Sequence, residues 1–518
     1  MARKETREIA VIDCETLGFK HGREPTPLLW GFYDGVEYFE TERTEELADF
    51  LRYRRLIVYA HNGGKFDFCF LKPFMDVGQD ILIVEGRIVK SAIGQSELRD
   101  SYSIIPQPLA AFKKSTFDYS VLEPETWRKY KSELSSYLKD DCVFLHELVT
   151  LHQQEYGRKL TLASSAFNYW KKNCGGEQPR TGLAFFNMIH PYYFGGRVEC
   201  FEKGVIKTDF SVHDINSAYP AAMMNPHPWG DEFKTSSDVK PHSFVKCVGV
   251  SKGAFPLRDK SGGLSFPADN VRREYRVTGH EFLTAKELGL FKGQVLMSIT
   301  MRKTITFTDY INHFFELKKE FKKTGDKGRY LLAKVHMNAL YGKFAQDPRR
   351  HKNYKIVAEK EAVTYFDAGF TFEGYFGENV CVSHPVDESK WRFFNIATAA
   401  SITGSVRATL LRAIHASKRP LYCDTDSIAA CGFSGPVSEK LGEWSHEGDF
   451  VEASIAGKKL YAFKDAAGHY KTASKGITAT AKQIKSIASG KQLTFERDAP
   501  TYSVKHGARF ISRKIRMT

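Results

Sequence analysis

The sequence predicts an α/β first half followed by an α+β second half in a multidomain chain. Three observations predict it. Short apolar runs at 9–13 (IAVID) and 56–60 (LIVYA) read as buried strands, and 81–93 reads as a hairpin about Glu85-Gly86. From about Glu133 to Tyr156 the apolar residues recur at helical spacing. A length of 518 residues also exceeds what one hydrophobic core usually serves.

The second half is read element by element. Turn residues in NCGGEQPRTG predict a boundary within 173–191, dividing the chain into 1–185 and 186–518. GVIKTDFSVHDINSAYP reads as a strand and a turn, and 225–300 as a loop-rich stretch. Residues 308–344 read as helical with a break near Thr324-Gly325-Asp326. Residues 346–395 are polar, aromatic and glycine-bearing, with no clear helix. A helix is predicted over 397–416, then strand, acidic turn and strand in LYCDTDSIAACG. The tail reads as short strands and basic loops.

Composition narrows the class. Hydrophobic residues make up 42% and charged residues 26%, as in ordinary globular proteins. No apolar run reaches the length of a membrane span, and the start carries no cleavable leader, so no membrane partner and a cytoplasmic location are expected. The nine cysteines are scattered and never spaced as C-x-x-C, which argues against a disulfide framework or a zinc site. The net charge of +14 alone is compatible with a merely solvated basic surface. Together with 13% aromatics it suits a chain that tracks phosphates and stacks unpaired bases.

Three acidic clusters mark the first half. Asp13 and Glu15 follow the first strand and, two apart on an extended chain, share a face. Asp67 follows HNGGKF after the second strand. Asp141 lies one helical turn after Tyr137, on the same face. D-x-E alone occurs in many turns, but all three clusters in order fit phosphodiester hydrolysis. That chemistry uses two Mg²⁺ or Mn²⁺ ions about 4 Å apart, held by hard oxygen ligands.

The second half repeats the theme. Asp214 opens DINSAYP, and Asp424 and Asp426 form CDTDS between two strands. Phosphoryl transfer needs carboxylates from separate strands converging on two metals. Between them, Lys334, Asn338 and Tyr341 fall on one helical stripe, suited to a nucleoside triphosphate and its base. An ordinary amphipathic helix with Tyr341 in the core fits the same pattern. Lys322 and Lys323 lie upstream and could add phosphate contacts.

With these motifs in hand, the chain resembles the family B DNA polymerases, specifically the protein-primed branch of small tailed phages, adenoviruses and linear plasmids. VIDCET, HNGGKFD and YLKDD resemble the three exonuclease motifs in order. The resemblance implies metal-binding roles for Asp13, Glu15, Asp67 and Asp141, with Tyr137 assisting. It implies that Asn62, Phe66 and Ser101 hold single-stranded DNA, although Tyr102 stands where the family often has leucine. Tyr193, Gly195 and Gly196 in YFGG resemble a template-contacting linker. DINSAYP implies metal binding by Asp214 and the Ile215 carbonyl, with Tyr219 beneath the sugar. KVHMNALYGK implies nucleotide binding by Lys334, Asn338 and Tyr341, joined by Lys322. CDTDS makes Asp426 the direct ligand and Asp424 a second essential acid. Lys459 and Tyr461 resemble a primer-strand motif. Thr403 and Arg407 resemble another DNA-contacting motif, with Val406 in place of a small residue.

The resemblance implies a ribonuclease H-like 3′–5′ exonuclease domain, then a right-handed polymerase domain of palm, fingers and thumb. Two insertions fall near 225–310 and 346–395, the first to dock a terminal protein and duplex, the second to help encircle DNA. Template, primer, deoxynucleoside triphosphates and a terminal protein are the partners it implies. A family B enzyme that uses an ordinary primer or primes itself, a catalytically inactive DNA-binding protein and a nuclease alone remain alternatives at this point.

Overall fold

The computed structural model describes residues 7–18, 23–112, 116–179, 181–259 and 262–517. The N-terminal half is organised by one sheet. At its centre, Glu8–Thr16 pairs in parallel with Leu56–Ala60, which pairs in parallel with Ser96–Asp100. Pro27–Tyr33 and Tyr38–Thr41 extend it antiparallel on one side. The hairpin Asp80–Val84/Arg87–Ile93 extends it on the other. The predicted helix spans Lys131–Tyr156 and packs on the first two strands. A Cβ at Gly31 would sit 2.9 Å from Leu138 Cγ, so the close seating of helix on strand depends on glycine there.

The C-terminal half is built on a seven-stranded antiparallel sheet. Its order is Tyr470–Ser474, Leu460–Lys464, Trp444–Gly457, Gly204–Ile215, Ser427–Cys431, Arg419–Asp424 and Val198–Cys200. The helix Ile396–Ala416 lies against it, with the short helix Ala218–Met223 packed on that helix. The helical stretch is two helices, Thr308–Thr324 and Lys327–Phe344. Gly325 supplies the left-handed residue between them at φ +74°, and Asp326 caps the second by accepting from the Arg329 amide at 2.9 Å. Buried side chains run without a break from Leu138 and Leu145 through Phe167 and Trp170 to Met337, Leu340 and Ile402, so the halves share a core.

Three sequence expectations need correction. The stretch 225–300 is not loop-rich. It holds the strands His227–Ser236, Ser243–Ser251, Arg272–Thr278 and Phe291–Ile305 in one sheet, with the helix Gly279–Glu287. Ser243–Ser251 alternates buried and less buried residues from Val245 onward, a period masked in the sequence by neighbouring glycines and prolines. Residues 346–395 form three strands and a short helix, Ala362–Asp367. Their strand Lys352–Ala358 pairs with Asp80–Val84, so this segment extends the N-terminal sheet to ten strands. The tail includes a helix, Ala481–Ala488, with a Thr480–Gln483 capping box that was readable as T-x-x-Q.

The chain ends in a long hairpin, Leu493–Ser503/Gly507–Met517. Its tip returns to the N-terminal half. Lys72 Nζ donates to the Val504 carbonyl at 2.8 Å and lies 4.8 Å from the Phe376 ring centre. A Cβ on Gly374 would lie 2.5 Å from the Val504 carbonyl oxygen.

Gly374→Val is therefore predicted to push the hairpin tip off its seat, since the branched side chain enters space held by backbone. Tryptic cleavage beside Lys505 should become severalfold faster while the far-UV spectrum stays unchanged. Cleavage at the wild-type rate would mean that this contact does not hold the tip.

Candidate active sites

The first site forms where strand ends meet the long helix. Alternation on Glu8–Thr16 sends Asp13 and Glu15 to one side, and the helix Lys131–Tyr156 brings Asp141 to them. Carboxylate oxygens of Asp13, Glu15 and Asp141 all lie within 4.8 Å of one another. Asp67 begins the short helix Asp67–Leu71, is buried, and leaves Oδ1 without a hydrogen-bond partner. Burial, and then the Asp13 and Asp141 charges, push the Glu15 carboxyl well above its ordinary range. Burial and then Asp13 do the same to Asp67.

These acids line a cleft of about 650 Å³ with Asn62 and Phe66. Asn62 sits in the left-handed region at φ +63°, which turns the chain sharply between strand and helix. Phe66 meets Tyr502 of the C-terminal hairpin edge to face, with ring centres 5.5 Å apart. Tyr137 is joined by a residue the sequence did not flag: Tyr119 Oη donates to Tyr137 Oη at 3.2 Å. His61, Arg87 and Tyr102 also line the cleft. Tyr119 lies in no motif and reaches the cleft through the 3₁₀ turn Tyr119–Val121, so only the fold reveals it.

Ser101 needs correction as a single-strand contact. It is fully buried, bonded to His61 Nδ1 at 3.0 Å and to the Ala60 carbonyl at 3.2 Å. It orients His61 instead. Its neighbour Tyr102 faces the cleft, 4.7 Å beneath the Arg87 guanidinium.

The second site forms at the ends of the central palm-like strands. Gly204–Ile215 pairs with Ser427–Cys431 in a register that sets Asp214 opposite Ser427. The Ile215 amide donates to the Asp426 carbonyl at 2.8 Å, which fixes the acidic turn against the strand. Asp214 is pushed up to about 7 by burial, then by Asp426 and Glu447, against the pull of Lys471 and Lys334. Asp426 is raised by burial, with Asp424 adding to it. Glu447 carries no motif. It approaches Asp214 because Ser445 pairs with Asp214 across the sheet. Asp424 is differently placed: Lys459 Nζ approaches it at 2.7 Å, and the Thr425 and Tyr422 hydroxyls donate to it at 3.0 and 3.3 Å. It therefore anchors Lys459, while Tyr461 packs on Tyr422 with ring centres 4.9 Å apart.

The groups expected to meet the nucleotide converge from three helices, Ala218–Met223, Thr308–Thr324 and Lys327–Phe344. Tyr219 and Tyr341 stack with ring centres 4.5 Å apart and planes 3° from parallel. Lys334 is exposed, and Asn338 Nδ2 donates to its carbonyl at 2.7 Å. Lys322 and Lys323 are exposed at the end of the neighbouring helix. Lys318, unremarked in the sequence, lies one turn before Lys322. Burial, then Lys334 and Lys322, lower its ammonium, so three lysines share one region.

Thr403 and Arg407 are not surface groups for DNA. Thr403 is buried and donates to the Ala400 carbonyl at 3.1 Å. Arg407 is 2% exposed, pairs with Glu281, and donates to the Phe194 and Gly195 carbonyls. It holds the segment that carries Tyr193, Gly195 and Gly196. A Cβ on Gly196 would lie 2.7 Å from the Thr425 side chain, so this segment rests on the acidic turn itself.

Both acid groups fit divalent cations. At the first, the clustered carboxylates and the orphaned buried oxygen of Asp67 are what a hard cation would satisfy; at the second, the raised Asp214 and Asp426 point the same way, and all-oxygen donors suit Mg²⁺ or Mn²⁺.

Comparison with known proteins agrees with this geometry. Residues 113–375 match the family model described as DNA polymerase type B, organellar and viral. The chain is 36% identical to the DNA-directed DNA polymerase of Enterobacteria phage PRD1, over all of this chain and 99% of that one. It is 24% identical to the DNA polymerase of Bacillus phage phi29, over 67% of this chain and 62% of the relative. Among solved structures it is similar to phi29 DNA polymerase complexed with primer-template DNA and incoming nucleotide. There the TM-score is 0.77 at 18% identity, over 99% of this chain and all of that one. That likeness bears out the expected fold of two α/β and α+β halves with insertions.

The raised Asp214 range carries a stability consequence. An acid with a raised folded value costs stability as pH rises from its unfolded range near 4 to its folded value of about 7. Without metal, Asp214→Asn is predicted to melt like the wild type near pH 4 and above it by pH 8. Adding Mg²⁺ at pH 8 should raise the wild-type melting temperature more than that of the variant, which keeps only the first acid group intact. Equal melting temperatures at pH 8 would sink the prediction.

Proposed function

The chain belongs to the type B DNA polymerases, organellar and viral, and is a DNA-directed DNA polymerase; on that premise we propose that its two acid groups divide synthesis from proofreading. Residues 186–518 extend a primer on a DNA template, and residues 1–185 remove mispaired 3′ ends. The observation that carries this reading is the presence of two separate groups of crowded carboxylates, each at strand ends. The phi29 polymerase structure with primer-template DNA and incoming nucleotide supports the same substrates here.

At the synthetic site Asp214, Asp426 and the Ile215 carbonyl would hold two Mg²⁺ or Mn²⁺ ions, which would supply Lewis acidity to the phosphoryl oxygens. The protein's part is to position and neutralise. Lys334, Lys322 and Lys318 draw in the triphosphate. Tyr341 and Asn338 border the new base pair, and Tyr219, stacked on Tyr341, closes the space beneath the sugar. Lys459, held by Asp424, faces the primer backbone with Tyr461. Tyr193, Gly195 and Gly196 border the template. At the proofreading site Asp13, Glu15, Asp67 and Asp141 are the ligands. Tyr137 orients the attacking water, and Asn62 and Phe66 hold the frayed end. Priming by a terminal protein docked on the 225–310 insertion, with strand displacement inside the host cell, completes the reading.

Purified protein, primed single-stranded DNA, Mg²⁺ and four deoxynucleotides test it. Asp426→Ala should cut extension by roughly a thousandfold or more and spare exonuclease activity. Asp13→Ala with Asp67→Ala should do the reverse. Extension by Asp426→Ala near the wild-type rate would refute the assignment. Tyr219→Val should admit ribonucleotides more readily, because a ring beneath the sugar excludes a 2′-hydroxyl; an unchanged sugar preference argues against that role. A terminal protein from the same genome, offered with origin DNA and labelled deoxynucleotide, should become covalently labelled. Initiation on bare template instead would replace protein priming with self-priming.

A further inference from the structure

The segment 193–197 lies on the acidic turn and is gripped from the opposite side by the first insertion. The turn side is tight. The Thr425 amide donates to the Arg197 carbonyl at 2.6 Å, and Gly196 leaves no room for a Cβ beside Thr425. Asp424 pairs with Val198 in the adjoining strands. Any shift of this segment therefore moves the turn that carries Asp424 and Asp426.

The grip consists of three successive carbonyls. Arg258 donates to the Tyr193 carbonyl at 2.6 Å. Arg407 donates to those of Phe194 and Gly195 at 2.6 and 2.7 Å. Arg258 belongs to the 225–310 insertion. Arg407 does not, but its remaining face is fixed by Glu281 of that insertion, at 2.8 and 3.0 Å. Glu281 is itself locked as the capping residue of the helix Gly279–Glu287, accepting from the Thr278 amide at 3.1 Å and hydroxyl at 2.8 Å. A guanidinium with four of its five N–H groups so used has one geometry open to it.

We propose that Glu281, acting through Arg407, and Arg258 are positioning residues by which the first insertion sets the geometry of the polymerase acidic turn. This rests on the polymerase reading. The insertion is then a brace for the chemistry as well as a place for a partner to dock. Displacing it reaches Asp426 through the backbone of 193–197. Glu281 lies behind the segment 193–197, and its effect appears more in the rate of nucleotide addition than in the binding of DNA.

Steady-state extension of a primed template, with exonuclease activity and circular dichroism measured on the same preparations, tests the proposal. Glu281→Gln keeps the shape and removes the charge that aims Arg407. Its kcat should fall on the order of tenfold, as for a small misplacement of reacting groups, with exonuclease activity unchanged and primer-template Kd changed by much less than kcat. Arg407→Lys, which cannot bridge Glu281 and two carbonyls, should lose at least as much. The double variant should be no worse than the weaker single, because the two act as one unit. Arg258→Ala, at the surface, adds no buried unpaired charge, and it should lower kcat about threefold without loss of fold. Wild-type kcat in a folded Glu281→Gln or Arg258→Ala overturns the proposal. So does a loss confined to primer-template affinity, or losses that multiply in the double variant. If the wild type itself extends no primer, the polymerase reading fails first, and the two failures are distinguishable.

Discussion

The amide of Ile215 donates to the carbonyl of Asp426 at 2.8 Å, and much of the second half is arranged around that bond. It joins the end of one strand to the acidic turn between two others, so two carboxylates far apart in sequence must face each other. Water would ordinarily keep such charges apart, and burial removes that option. The rise of Asp214 to about 7 is the measure of the conflict. Three features make the conflict bearable. The Thr425 hydroxyl donates to Asp424 at 3.0 Å, Lys459 neutralises Asp424, and the 193–197 segment closes over the back. The same logic rules the first site, where Glu15 and Asp67 are raised by burial and by Asp13. In both places stability is set against function, as expected where charge is held ready for a cation.

The two sites are separate but not independent in packing. The helix that carries Tyr137 and Asp141 ends at Tyr156, whose ring stacks on His336 with centres 3.7 Å apart. His336 lies on the buried side of the helix that shows Lys334 and Tyr341 to the cleft. Its Nε2 reaches Ser165 Oγ at 3.3 Å, and Tyr310 donates to its carbonyl at 2.7 Å. Burial holds this imidazole down at about 4, so it packs as a neutral ring at physiological pH. One long helix thus supports a carboxylate near its middle and the helix Lys327–Phe344 at its end.

What the sequence disclosed follows from how local each signal is. Asp13 and Glu15 share a strand, Tyr137 and Asp141 one helical turn, and Lys334, Asn338 and Tyr341 one stripe, so spacing alone brings each set together. The strand Leu56–Ala60 and the break at Gly325 were legible for the same reason. Groups that act across the sheet were not. Glu447 meets Asp214 only through strand register, and Glu281 meets Arg407 across 126 residues. Resemblance misled where it assigned surface roles to Ser101, Thr403 and Arg407, because a motif says which residue stands there and not which way it faces. All three are buried; Ser101 holds the less buried His61, Arg407 holds the exposed Gly195, and Thr403 bonds within its own helix.

The two insertions differ in what they attach to. The first grips its own half, through Arg258 and Glu281. The second crosses to the other half, where Lys352–Ala358 continues the N-terminal sheet through Tyr354 and Ile81. The C-terminal hairpin makes the same crossing, with Lys72 and Gly374 seating its tip and Tyr502 meeting Phe66 at the wall of the first cleft. A backbone carbonyl accepting from a buried lysine resists lateral sliding, since leaving would strand a charge in an apolar setting. An edge-to-face ring contact tolerates small tilts. The hairpin is therefore pinned at its tip and yielding along its side. The wall of the first cleft is completed by a segment rooted in the C-terminal half, through the contact of Tyr502 with Phe66.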